Sequence, residues 1–263
     1  MKHIALNHFS RGSIVNPWNK TSNPTKLYTS PGLGDRVTCL WGLYQWAMKN
    51  NHESVTVHLN KNHWISGNPN VDKPKSWKEV EGLFINQGVN IQVKVHLEMP
   101  IQNDYNTLKW LKENKDVEAS MYYYENPDAD INITNYFKDK ILLNPPENNI
   151  NFSLPKKSFV TMQWDGSGPR RPSDKVVDKV RSYYENNGYE IVDIGMRHSL
   201  AEIGSYLYHA DYHIGMESGM FHMAQLYKNH SQIHIYTTPS VSAHTRRAKE
   251  YGSPINYLIG KII

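Results

Sequence analysis

Apolar and polar positions along this chain alternate between two periods. From Asp35 to Lys49 the apolar residues Val37, Leu40, Trp41, Tyr44 and Met48 recur at helical spacing, which predicts a helix that Asn50-Asn51 ends. Lys26 to Thr29, Ser54 to Leu59 and Ile91 to Leu97 carry the period-two or short apolar pattern of strands, and Ser76 to Phe84 and Tyr105 to Asn114 read as helices. Strands that alternate with helices argue for a parallel sheet with crossovers, an α/β class fold. Residues 1–25, rich in Asn, Ser and Pro without periodicity, read as a loop-rich extension.

The pattern breaks at Asn144-Pro145-Pro146 and again at Leu154-Pro155, so 146–157 reads as a linker between a domain over 26–145 and a second over 158–263. Beyond it, Ser158 to Trp164 restarts as a strand. Ser173 is placed to cap a helix through Val176, Val177, Val180 and Tyr184, with Asn187-Gly188 as its left-handed end. Tyr189 to Ile194 is the next strand, and Ser199 with Glu202 makes a capping box ahead of Leu200, Ile203 and Leu207. Strands at Tyr212 to Gly215 and Gln232 to Tyr236 flank a helix over Gly219 to Tyr227, giving a βαβαβαβ second half.

Composition narrows the classes. The 263 residues carry a formal charge of +4 spread along the chain, without the concentrated basic footprint of nucleic-acid binding. No apolar run reaches the ~20 residues of a membrane span, and the start lacks the apolar core of a secretory signal, so the expected location is cytoplasmic with at most peripheral membrane contact. One cysteine, Cys39, excludes an internal disulfide and reads as a buried helix residue. The thirteen histidines show no His-Glu-x-x-His spacing, and no metal or cofactor is expected.

Two turns carry the candidate chemistry. In Ile214-Gly215-Met216-Glu217-Ser218-Gly219-Met220-Phe221-His222 an apolar strand breaks into an acidic-Ser-Gly turn that opens a helix. Such a turn aims free backbone N–H groups and a helix dipole at an anion, above all a phosphate. In the first half, Gly32-Leu33-Gly34-Asp35 places a carboxylate where a helix begins. The residues alone leave Asp35 equally suited to cap its helix, and His222 to sit as a satisfied core histidine.

The two turns, in this order and these halves, resemble the heptosyltransferase-like family of GT-B glycosyltransferases, whose donor motif runs acidic residue, Ser or Thr, Gly, two variable residues, His. The resemblance implies two Rossmann-like domains facing a cleft, with a nucleotide-sugar co-substrate held mainly by the second. It implies Asp35 as catalytic base within the Gly32 and Gly34 turn, and Ser218, Gly219 and His222 on the donor diphosphate, with Arg170 or Arg171 as the cationic clamp. Gly195, Met196 and Glu217 fall to the nucleoside, Glu217 standing where the family more often has Asp. Trp64, in a loop after a strand, falls to the acceptor, a glycan or glycoconjugate. The implied reaction is inverting and metal-independent transfer to a hydroxyl. A fucosyltransferase-like enzyme with a guanine nucleotide donor, and a non-catalytic nucleotide- or glycan-binding relic of the fold, are the alternatives.

Overall fold

The computed structural model describes residues 2–7, 33–60, 77–96, 113, 119–122, 131–132, 139–146, 153–165, 171–216 and 218–236. The chain forms two compact units, Met1–Tyr136 and Phe137–Ile263. No helix among the described residues is long and apolar enough to cross a membrane.

The first unit contains β1 (Lys2–Asn7), α1 (Leu33–Lys49), β2 (Ser54–Asn60), α2 (Trp77–Gly82), β3 (Asn90–His96), β4 (Ala119–Tyr122) and β5 (Ile131–Asn132). Its strands are all parallel, in the order β3-β2-β1-β4-β5. Residues 2–7, expected within a loop-rich extension, are instead the central strand, with Ile4 level with Val57 on one side and Ala119 on the other. Lys, His and Asn at its ends hide this strand from a periodicity reading; its place comes from having a partner on both edges. The Lys26 to Thr29 strand and nearly all of the Tyr105 to Asn114 helix fall outside the described residues. In helix α1 every residue from Arg36 to Gln45 is buried, Leu40, Leu43 and Cys39 being fully enclosed, as befits a helix apolar beyond a single stripe. Asn50 and Asn51 end it as expected: the Asn50 amide donates to the Trp46 carbonyl at 2.8 Å, and Asn51 adopts φ 56°.

The second unit contains β6 (Phe159–Gln163), α3 (Asp174–Asn186), β7 (Glu190–Asp193), α4 (Leu200–His209), β8 (Tyr212–Met216), α5 (Gly219–Tyr227), a 3₁₀ turn (His230–Gln232) and β9 (Ile233–Tyr236). Its sheet is also parallel, in the order β7-β6-β8-β9. The chain leaves β6 to one side through α3 and returns to the other side through α4. Right-handed crossovers in opposite directions put α3 on one face and α4 and α5 on the other.

Each helix here is punctuated by local chemistry. The capping box of α4 is complete: the Glu202 N–H donates to Ser199 Oγ at 3.2 Å and the Ser199 N–H to Glu202 Oε2 at 2.7 Å. Gly188, at φ 86°, ends α3 with its own N–H on Glu185 O and the Tyr189 N–H on Tyr184 O, a Schellman closure that a Cβ would strain. Ser173 differs from the sequence expectation. It stands at the N-cap of α3 with no side-chain bond, and its backbone carbonyl receives the Val176 and Val177 N–H groups.

Residues 139–146, which run into the Pro-rich break read from the sequence, seat on helices of the second unit. The Leu143 N–H donates to Leu226 O at 2.8 Å, and a Cβ on Gly204 would meet Pro146 at 2.7 Å. Lys140 reaches the last carbonyls of α5, donating to Lys228 O at 2.5 Å, while the buried Lys228 donates to Tyr208 O at 3.0 Å and to Ala210 O at the end of α4. Both ammonium groups thus sit at the negative ends of helices. Burial lowers Lys140 to about 7 and Lys228 to about 8.

Candidate functional site

In an open parallel sheet the chain direction reverses at a switch point, and the carboxyl ends of the strands flanking it frame a crevice. In the second unit that point lies between β6 and β8, whose last residues are Gln163 and Met216. The strands approach so closely there that a Cβ on Gly215 would lie 2.4 Å from the Gln163 carbonyl oxygen, so this position excludes any larger residue.

Ser218 follows. Extended at φ −152°, ψ −176°, it is the N-cap of α5, and its Oγ accepts the Met220 N–H at 3.2 Å. The hydroxyl proton goes elsewhere: Ser218 Oγ donates to Gln163 Oε1 at 2.6 Å. Gln163 is 3% exposed, a carboxamide buried at the end of a strand whose only other polar residue is Thr161. It is the residue the sequence reading missed. The available signal was a Gln, with Thr161, on one face of a strand whose other face is Val160, Met162 and Trp164.

Gly219 opens α5, and the His222 N–H closes the first turn on Ser218 O at 3.3 Å. The His222 ring meets Phe221 edge-on at 5.2 Å between centroids. On the same sheet edge, after β7, Gly195 and Met196 form a turn in which the Gly195 N–H donates to His198 Nδ1 at 3.3 Å. The structure therefore brings Ser218, Gly219, His222, Gly195 and Met196 to the carboxyl edge of one sheet. Trp164, directly after β6, buries an indole N–H that has no hydrogen-bond partner among the described residues.

Arg171 lies at the entrance to α3, where Nη2 donates to Asp174 Oδ1 at 3.0 Å and Nη1 stands 3.8 Å from Asp165 Oδ1. Its side chain is 54% exposed, and such a pair contributes about 0–1 kcal/mol, so the guanidinium can be exchanged to another anion at little cost. Arg170, Glu217, Trp64 and Gly32 fall outside the described residues.

In the first unit, Gly34 and Asp35 belong to the first turn of α1. Gly34 is buried, and its carbonyl accepts the Thr38 hydroxyl at 2.7 Å. The side chain of Asp35 is outside the described set. Its neighbour Arg36 is 1% exposed, with its guanidinium carbon 6.0 Å from the centre of the Trp77 ring, a buried cation on an aromatic face.

The histidines of the second sheet are structural. His213 is fully buried, with Nδ1 3.1 Å from Thr161 Oγ1, and burial together with His234 and Lys228 pushes it down to about 3, so it is neutral. His234 pairs through Nδ1 with the Tyr184 hydroxyl. Among the described residues no group of three or more His, Cys, Asp or Glu side chains is placed to hold a metal ion.

No protein-family model matches this chain, and no curated protein sequence does either. Similarity appears among solved structures. The glycosyl transferase family 9 structure from Veillonella parvula DSM 2008 has 8% identity and a TM-score of 0.51, covering 99% of this chain and 95% of that one. The iron-containing dodecameric glycosyltransferase TibC from enterotoxigenic E. coli H10407 has 12% identity and a TM-score of 0.42, and TibC with ADP-D-beta-D-heptose 10% and 0.41. This chain spans 60% and 57% of those two TibC chains. TibC is described as iron-containing, which stands against the expectation of no cofactor; the iron is that protein's, and among the described residues of this chain no group is placed to hold a metal ion. The architecture the chain shares with the Veillonella structure is a glycosyltransferase α/β fold with parallel sheets.

Proposed function

We propose that this protein transfers a sugar from a nucleoside-diphosphate donor to a hydroxyl acceptor, with GT-B pairing of its two units and inversion at the anomeric carbon. The observation that carries the reading is the Ser218-capped start of α5 at the switch point of the second sheet. There, the backbone N–H groups of a helix start face a crevice of the kind in which α/β sheets bind nucleotides. The paired turns of the sequence and the shared glycosyltransferase fold support it.

In this reading the second unit holds the donor. Gly219 and the α5 dipole lie at the diphosphate with His222 beside them, Gly195 and Met196 at the nucleoside with Glu217, and Arg170 or Arg171 supplies positive charge. Arg171 would leave Asp174 to do so. Asp35 takes the proton of the acceptor hydroxyl, the acceptor oxygen bonds to the anomeric carbon, and the bond from that carbon to the phosphate oxygen breaks. The nucleoside diphosphate leaves with the electron pair, its charge stabilised by the same N–H groups. The acceptor is a glycan or glycoconjugate, with Trp64 as its platform.

A thermal-shift series with ADP, GDP, UDP and their sugars tests this. One nucleotide should raise the melting temperature, a ligand at about 100 times its Kd adding roughly 2.7 kcal/mol, and silence from all of them overturns the reading. Asp35→Asn should abolish transfer while nucleotide affinity stays within about twofold, since the variant loses the base and no donor contact. Normal turnover in that variant removes Asp35 from its role.

A further inference from the structure

We infer that Gln163 is a binding and positioning residue of the donor site: its carboxamide oxygen commits the Ser218 hydroxyl to capping, and its amide N–H groups, not that hydroxyl, are offered to the diphosphate. The inference rests on the sugar-transfer reading above.

A serine hydroxyl has one proton and two lone pairs. In this structure the proton goes to Gln163 Oε1 at 2.6 Å, and one lone pair accepts the Met220 N–H at 3.2 Å. What remains on Ser218 is an acceptor, which an anion does not attract. A carboxamide has the opposite surplus. With Oε1 bonded to Ser218, the Nε2 of Gln163 still carries two N–H donors. Burying such a group costs free energy unless its bonds are made, and Gln163 is buried on the last residue of β6, at the switch point. Gly215 keeps it there, because its missing Cβ is what lets β8 lie against the Gln163 backbone. The Ser218 cap and the Gln163 amide therefore form one unit: the serine orients the carboxamide, and the carboxamide holds the turn that starts α5.

Gln163→Glu separates this role from a merely structural one. It keeps the size and an acceptor for Ser218 but replaces two N–H donors with negative charge. The nucleotide found by thermal shift should bind roughly 10- to 100-fold more weakly, the effect of losing a hydrogen bond to a charged group, while affinity for the matching nucleoside without phosphate is unchanged. Should Gln163→Glu fail to fold, Gln163→Met, uncharged and without donors, is read the same way. Ser218→Ala uncaps α5 and releases the carboxamide but removes no donor to the phosphate, so it should weaken binding less than Gln163→Glu does. Wild-type affinity in Gln163→Glu or Gln163→Met, or a tenfold loss confined to Ser218→Ala, overturns the inference and leaves sugar transfer standing. If the wild-type protein binds no nucleotide, both fall.

Discussion

On the α3 side of the second sheet, Val160, Met162, Trp164 and Ile214 pack against Val177, Val180 and Tyr184 as one core cluster. On the α4 and α5 side, the intervening residues of the same strands are Thr161 and Gln163 on β6 and His213 and Gly215 on β8. The first face is held by area and ring contacts: Tyr184 meets Tyr183, Tyr189 and Tyr212 with centroids 5.2–6.3 Å apart. The second adds hydrogen bonds to the apolar packing of α4 and α5: Thr161 with His213, Gln163 with Ser218, and Lys228 with the end of α4. Alternation along a strand thus separates stability from recognition within one layer. The apolar face anchors the sheet, and the polar face runs directly into the turn proposed to meet the donor.

Tyr184→Ala should break the first face and cost the most, about 3–5 kcal/mol for an aromatic residue removed from a core, and it also leaves His234 without its phenol. Chemical denaturation measures it, and nucleotide affinity at a temperature where the variant is folded should stay within about twofold. A large loss of affinity there would mean that the two faces are not separable.

Gly215→Ala should act on the second face. The new methyl must displace β8 from β6, a strain of about 1–3 kcal/mol, and unlike Tyr184→Ala it should weaken nucleotide binding, because the strands that move carry Gln163 and lead to Ser218. Equal stability and affinity to wild type would show that the close approach does not set the turn.

Smallest near neutral pH, and growing only as the solution is acidified, is a titration. His213 is lowered from 6.5 to about 3, chiefly by burial, so the folded protein refuses a proton that the unfolded chain accepts below 6.5. Its effect on stability is nil above that pH. As pH falls from 6.5 towards 3, stability is lost with a slope of at most about 1.4 kcal/mol per pH unit for this one group. His234 is lowered as well and adds in the same direction. Stability of His213→Gln followed by denaturation between pH 7 and 4 should fall less steeply than that of wild type; parallel curves would place the proton elsewhere.

Local chemistry made much of the second unit legible in advance. The Ser199 and Glu202 box, the Gly188 stop and the Val177, Val180 and Tyr184 stripe depend on residues a few positions apart, so their free energies are decided within one segment of chain. The Gly-containing turn at Ser218 was readable for the same reason. By contrast, β1 reads from the sequence as part of an extension, because a strand's pairing energy lies in neighbours such as Val57 and Ala119, far along the chain. The cap at Ser173 failed although its residue type is favourable, since propensity does not guarantee the bond.

The sequence by itself determined where the chain turns, the capping box at Ser199 and Glu202, and that a Ser-Gly turn opening a helix follows an apolar strand, because each is a property of contiguous residues. Tertiary structure alone decided the strand order, hence the switch point, and the meeting of Gln163 with Ser218. A hydrogen bond between residues 55 positions apart exists only once β6 and β8 pair, and that pairing commits a serine read as a phosphate ligand to capping α5.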